Sequence, residues 1–271
     1  MVAVTPIFIA GLLEDLFKVV SSWTRLVASL ISAYVFVIIF GHVISETGFQ
    51  IIDSVLDQLS IWPIIAILIV ATLVNSINII DGFNGLASGV SIVALACLGV
   101  VAYRFGDDTL LATILLLLAI IFGFFVVNFP RGLLFLGDGG AYFCGFALSC
   151  IWLVLLERNL TIEPSILLVV LAYPLVELFF SIYRKVLRKG HRPDQPDSVH
   201  FHMLLYRKIK STRIKHYLNP NAATGIILQL LPLSGMLFVL LFPQNKLYYV
   251  LYFVAFCGIY LRAYKKLSLN G

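Results

Sequence analysis

The sequence predicts an all-α, polytopic membrane bundle, and three observations carry that prediction. Of 271 residues, 61% belong to the hydrophobic set and only 12% are charged, where soluble domains carry about 25% charge. Apolar runs of about 20 residues, enough to cross a hydrocarbon core of about 30 Å, recur along the chain. The Lys and Arg residues gather on one side of those runs. A soluble globule and a disordered chain are both excluded, since neither holds so much hydrocarbon with so little charge.

Eight spans are expected, at 26–44, 61–80, 84–102, 109–128, 139–156, 164–183, 221–242 and 246–262. An even count puts both termini on one side. Sixteen of the 19 Lys and Arg fall on that side, ten of them between Arg184 and Lys215, against Arg104, Arg158 and Lys246 on the other. The positive-inside rule therefore makes the termini and the basic 184–219 loop cytoplasmic. The chain reads as one domain, 1–271, embedded in membrane lipids, with that loop as its only sizeable extramembrane segment. Its +5 net charge faces anionic headgroups or an anionic substrate, and no nucleic-acid partner is expected. Cys97, Cys144, Cys150 and Cys257 lie inside apolar runs without a paired short spacing, and read as small core residues. Met1 to Ala10 lacks a basic n-region and does not read as a cleavable signal.

Once orientation is set, the unusual polar residues sort to the cytoplasmic boundary. Glu14 and Asp15 precede the first span, where they neutralise cations or act as a base or positioning carboxylate on a phosphate nucleophile. Asn75, Asn78, Asp81 and Asn84 close the second span and open the third, and the three-residue spacing puts Asn78, Asp81 and Asn84 on one helical face. Gly82 and Gly85 let an anion approach the backbone at a helix start. That stretch reads either as an oxyanion and metal platform or as a capped helix turn. Asn128 ends the fourth span, and Phe135 to Ala141 sets Asp138 in a second glycine-rich turn. Two such turns on one face suit a Mg²⁺ ion, a hard cation completed by substrate phosphates. Glu177 lies near the inner end of the sixth span. His200 and His202, behind Arg192 in the basic loop, suit a diphosphate or nucleotide better than a metal, because no third nitrogen or soft ligand is near.

These motifs together resemble the polyprenyl-phosphate N-acetylhexosamine-1-phosphate transferases, a family of glycosyltransferase family 4 type. The resemblance covers nearly the whole chain: the acidic pair in residues 11–17, the Asn/Asp signature at 75–86, and the Phe-x-Gly-Asp-x-Gly-Ala turn at 135–141 with Asn128 upstream. Pro174 to Glu177 and His200-x-His202 complete the set. Three positions depart from the pattern: Glu14 replaces the first usual Asp, Asn84 stands where many bacterial members have Asp, and Met203 falls where a further His is common.

The resemblance implies transfer of a sugar 1-phosphate from a UDP-N-acetylhexosamine to undecaprenyl phosphate, with release of UMP. It implies Mg²⁺, or Mn²⁺ in its place, held by Asn78 and Asp138. Asn84 would touch the nucleotide, His200 and His202 with Arg192 the diphosphate, and Asp15 and Asp81 would orient or deprotonate the lipid phosphate. Glu14, Asn128 and Glu177 fall with the substrate-binding residues. The protein would sit in a bacterial inner membrane with its site at the cytoplasmic face, and would start a surface polysaccharide such as O-antigen; a homodimer is compatible with this. Members of the family carry about two further spans ahead of the acidic pair, so the resemblance also implies an N-terminally shortened chain with weak or no activity. The alternatives are the phospho-N-acetylmuramoyl-pentapeptide transferase of peptidoglycan synthesis and, outside the enzymes, a transporter or an inactive scaffold. A transporter would place its polar groups near the bilayer midplane.

Overall fold

The computed structural model describes residues 2–41, 44, 46–187, 199–212 and 219–269, and among them it contains twelve α-helices and no strand. The first, α1 (Thr5–Phe17), has Pro6 in its opening turn, where a missing N–H costs nothing, and stops where Lys18 turns left-handed at φ 56°. α2 (Ser22–Phe40) begins four residues before the predicted 26 because Ser21 caps it, its Oγ accepting from the Thr24 N–H at 3.1 Å. It ends at Phe40, four residues short of the predicted 44, where Gly41 turns left-handed at φ 65°. Arg25 thus lies inside the first turn of the helix, which is tolerable because its charge is paired with Asp138. α3 (Gln50–Leu59) is a short amphipathic helix with no buried residue.

α4 (Trp62–Ile80), α5 (Leu86–Arg104), α6 (Asp108–Asn128) and α7 (Gly137–Arg158) follow the predicted spans closely. The span expected at 164–183 is instead two pieces, α8 (Ile166–Val170) and α9 (Ala172–Leu187), broken at Leu171. Pro174 explains the break: it has no N–H to give the Val170 carbonyl, and its ring crowds that carbonyl. Among the described residues seven single helices are therefore long and apolar enough to cross a membrane, one fewer than the eight predicted, the missing span being the one divided into α8 and α9. α10 (Phe201–Lys210) lies between α9 and α11 (Pro220–Leu241). α12 (Lys246–Leu269) runs past the predicted 262, carrying Lys265 and Lys266 in its last turns. The chain is a polytopic helical membrane protein.

α5 and α7 form the centre, with 72% and 78% of their apolar stretches buried, whereas only 17% and 11% are buried in α6 and α12, which lie at the periphery. α7 packs on α1, α4 and α5. Two of these contacts are backbone to backbone. A Cβ on Gly145 would lie 2.7 Å from the Val74 Cα, and one on Gly11 would lie 2.6 Å from the Gly139 nitrogen, so both positions need glycine. All four cysteines are free; Cys97 and Cys144 are buried, Cys150 and Cys257 half-buried.

The alternating helices give the bundle two ends. At one, Arg158 pairs with Asp107 at 3.1 Å, the Glu163 N–H donates to Gln244 Oε1 at 2.6 Å, and Lys246 sits 4.7 Å above the Phe49 ring. Arg104, Arg158 and Lys246, the three cations separated from the rest by the span count, all lie there. The other end collects Asp15, Arg25, Asn78, Asp81, Asp138, Glu177 and His202.

Candidate active site at one end of the bundle

Asp138 opens α7 and is the hub of the polar end. Its Oδ1 accepts from Asn78 Nδ2 at 2.9 Å, across 60 residues of sequence, and its Oδ2 is ion-paired with Arg25. Asp15, in the last turn of α1, receives the Asp138 N–H at 2.8 Å and the Gly139 N–H at 3.0 Å. Its carboxylate thus caps α7, where the helix dipole favours negative charge, and fixes the Asp138 backbone. Glu14, its neighbour, accepts from the Val20 N–H at 2.9 Å and closes the chain between α1 and α2.

Asp81 follows α4. Burial pushes its pKa up to about 7, and the negative charges of Asp138 and Asp15 add to the shift. Two or more carboxylates therefore crowd this end with one guanidinium between them, an arrangement that attracts a cation. Among the described residues no three Asp, Glu, His or Cys side chains close a metal cage. Mg²⁺ does not require one, since it is commonly held by one or two protein oxygens with phosphates and water filling the rest. Asp138 and the adjacent Asn78, whose amide presents its oxygen after a half-turn, fit that open donor set.

The turn after Asp81 is braced by α6, the loop that follows it, and α11. Gly85, at φ 74°, donates to Asn128 Oδ1 at 2.5 Å, and Asn128 Nδ2 donates to the Leu134 carbonyl at 2.6 Å. Asn84 Nδ2 donates to the Pro130 carbonyl at 3.0 Å, while the Asn84 N–H donates to Asn221 Oδ1 at 2.7 Å. Gln229 Nε2 reaches the Gly85 carbonyl at 2.7 Å. Asn84 and Asn128 are thus engaged in holding the two turns together, and a nucleotide contact by Asn84 would have to replace its bond to Pro130.

α10 brings the histidines to the same place. The His202 ring packs against the Gly82 turn, its Nε2 lying 3.4 Å from where a Gly82 Cβ would be, and its centroid is 5.5 Å from the Phe83 ring. Its Nδ1 is 3.2 Å from the Tyr173 hydroxyl. Burial, with the nearby His200 and Arg184 charges, lowers the His202 pKa to about 4 against the opposing pull of Glu177, so the ring is neutral at pH 7. His200 stacks on it at 5.3 Å and bonds Glu177 Oε1 through Nδ1 at 2.9 Å. Glu177 is fully buried and also accepts from the Tyr260 hydroxyl at 2.7 Å. Arg184 Nη1 bonds both the Val199 carbonyl and the Tyr264 hydroxyl at 2.5 Å, tying α9 and α12 to the start of α10. Arg192 lies outside the described residues.

The structure therefore gathers Asp15, Asn78, Asp81, Asp138 and His202 on one end of the bundle, with His200 and Glu177 behind them. Sequence reasoning missed Arg25, Tyr173, Tyr260, Asn221 and Gln229, because each meets its partner across tens of residues or more and none lies in a motif. An open groove of about 530 Å³ starts at this site. Arg25, Asn78, Tyr142 and Lys185 line its head, and Leu30 and Leu68 its apolar walls, between α2, α4 and α9. A second apolar groove of about 510 Å³ shares Leu68, Thr72 and Phe179 with it and continues toward the opposite end.

Residues 1–156 match the sequence profile described as glycosyl transferase family 4. The chain belongs to glycosyl transferase family 4. The matched segment contains Asp15, Asn78, Asp81 and Asp138, so the acidic half of the site is the family's own part of the chain. Among named relatives, a probable undecaprenyl-phosphate N-acetylglucosaminyl 1-phosphate transferase of Bacillus subtilis is 33% identical over 52% of this chain and 39% of its own length. An undecaprenyl-phosphate alpha-N-acetylglucosaminyl 1-phosphate transferase of Thermotoga maritima is 26% identical over 96% of this chain and 74% of its own length. The similarly named Escherichia coli K12 protein is 33% identical over 49% of this chain and 38% of its own length. The match thus spans less than half of the Bacillus and Escherichia relatives and about three quarters of the Thermotoga one.

Proposed function

We propose that this family 4 protein transfers an N-acetylhexosamine 1-phosphate from a UDP-sugar to undecaprenyl phosphate, releasing UMP, at the cytoplasmic face of a bacterial plasma membrane, as a first step of surface-polysaccharide synthesis. The observation that carries the reading is the position of the Asp138 cluster at the head of an apolar groove. A soluble sugar nucleotide and a long lipid must meet at a membrane boundary, and a polar head on an apolar trough suits both. A transporter would be expected to hold these groups near the midplane. The names of the relatives agree with the reading.

The chemical difficulty is that one anionic phosphate attacks another, so charge neutralisation and placement dominate the barrier. Asn78 and Asp138 would hold Mg²⁺, which when bound neutralises charge on the diphosphate oxygens. Asp15 keeps Asp138 in place through the α7 amides. Neutral His202 presents its Nε2 toward the Gly82 turn without adding a second cation, and His200, anchored by Glu177, stacks behind it. Asp81 is the carboxylate available to take a proton from the acceptor phosphate. The grooves along α4 and α9 would hold the polyprenyl chain, whose burial contributes about 0.8 kcal/mol per methylene.

The test is UMP release by the purified protein with undecaprenyl phosphate and, in turn, UDP-N-acetylglucosamine, UDP-N-acetylgalactosamine and UDP-N-acetylmuramoyl-pentapeptide. Weak turnover with one of the simple sugars, abolished by EDTA and restored by Mg²⁺ or Mn²⁺, is expected. Turnover with the pentapeptide substrate alone would replace this reading with the peptidoglycan one, and UMP release unaffected by EDTA would remove the metal from it.

A further inference from the structure

Arg25 stands in an unusual position for a cation in a site expected to bind another. Its guanidinium takes Asp138 Oδ2, and Asn78 Nδ2 takes Oδ1, so nitrogen donors occupy both oxygens of the carboxylate. A divalent cation and a guanidinium compete for those oxygens, because like charges about 4 Å apart repel strongly in a half-buried site. The Arg25 side chain is 20% exposed, and its Nε is buried without a hydrogen-bond partner. A buried N–H left unpaired costs about 1–3 kcal/mol, so the conformation that pairs Arg25 with Asp138 leaves one of its donors unsatisfied. Arg25 also lines the head of the α2–α4–α9 groove, beside Tyr142. A planar fork of five N–H donors at the polar end of a lipid-sized trough matches the oxygens of a phosphate.

We propose that Arg25 occupies the cation's place on Asp138 until the cation arrives, and that, once displaced, it binds the phosphate of the lipid acceptor at the head of the groove. This rests on the transferase reading above and adds an order to it: cation first, lipid phosphate second. Before the cation binds, Asp138 is neutralised and Arg25 is unavailable to a phosphate. Afterwards the same guanidinium is free of its carboxylate and a phosphate can satisfy its donors. The coupling is reciprocal, so the lipid phosphate must also tighten cation binding.

The experiment measures binding, without turnover, to the purified full chain in detergent. Mn²⁺ alone is titrated by electron paramagnetic resonance into the wild type, Arg25→Gln, Arg25→Lys and Asp138→Asn, each first shown to be monodisperse and helical. Removing the competitor should tighten Mn²⁺ binding about tenfold in Arg25→Gln, a modest share of a close charge pair's worth, with Arg25→Lys between it and the wild type. Farnesyl phosphate, a short soluble polyprenyl phosphate, should bind the wild type at least tenfold more tightly with Mn²⁺ than without, and Arg25→Gln should lose most of that gain. Inorganic phosphate gaining as much as farnesyl phosphate would overturn the assignment to the lipid acceptor. Unchanged or weaker Mn²⁺ binding by Arg25→Gln overturns the displacement while leaving the transferase reading intact. A Lys variant equal to the wild type beside a tighter Gln variant also overturns it, since charge at a distance would then suffice. If the wild type binds no Mn²⁺ that Asp138→Asn removes, the metal site and this proposal fail together.

Discussion

The two ends of the bundle use charge differently. At the end of Arg158 and Lys246, charged and polar groups pair to close loops: Asp107 caps α6 while holding Arg158, and Asp53 accepts from the Thr47 N–H at 2.7 Å. At the end of Asp138, acids from α1, α7 and the α4–α5 turn converge, with Arg25 bonded to one of them. The first end spends its charge on stability, in contacts that cap helices and tie loops together. The second keeps like charges close together, an arrangement that costs stability and is therefore a mark of function.

Three measurements would break or sharpen that contrast. The largest effect is expected from paired substitutions: Asp138→Asn should lower UMP release by about 100-fold or more, the scale of losing an electrostatic group in a transition state, whereas Asp107→Asn should change it less than about twofold. Equal losses would erase the distinction between the ends.

A second effect concerns His202 and its surroundings, Glu177, His200, Arg184 and the Tyr173 hydroxyl. Its pKa lies near 4 in the folded protein against about 6.5 in an unfolded chain. The unfolded state therefore binds the extra proton between those values, so this stabilisation is complete above pH 6.5 and is lost as the pH falls through 4. The loss should reach about 3 kcal/mol, seen as a falling thermal midpoint between pH 6.5 and 4 that His202→Gln flattens. A slope unchanged in the variant would assign it elsewhere. The smallest effect belongs to Arg158→Ala, whose side chain is 45% exposed; it should shift stability by less than about 1 kcal/mol, and a larger shift would show that the Asp107 pair holds more than a loop.

Much of this architecture was readable from residue order. Long apolar runs gave most crossings within a few residues, and the two polar, glycine-bearing turns that the sequence singles out, around Asp81 and Asp138, lie at one end of the bundle. What escaped were the elements with no long run: α1, the amphipathic α3, and α10. The break at Leu171 needed more than the presence of Pro174, because a membrane helix can also bend over a proline without parting. Arg25 read as one of sixteen topology-setting cations, and only the approach of α2 to α7 reveals its partner, 113 residues away. Tyr260 read as one aromatic among many in α12, and its bond to Glu177 spans 83 residues.

The glycine seams at Gly11 and Gly145 have a consequence for motion. With main chain pressed against main chain on two sides, α7 has no side-chain cushion over which to slide, and the Asp138 it carries behaves as a fixed anvil. The other side of the cleft is built differently: there α9 is severed from α8, and its Arg184 is held by a tyrosine of α12.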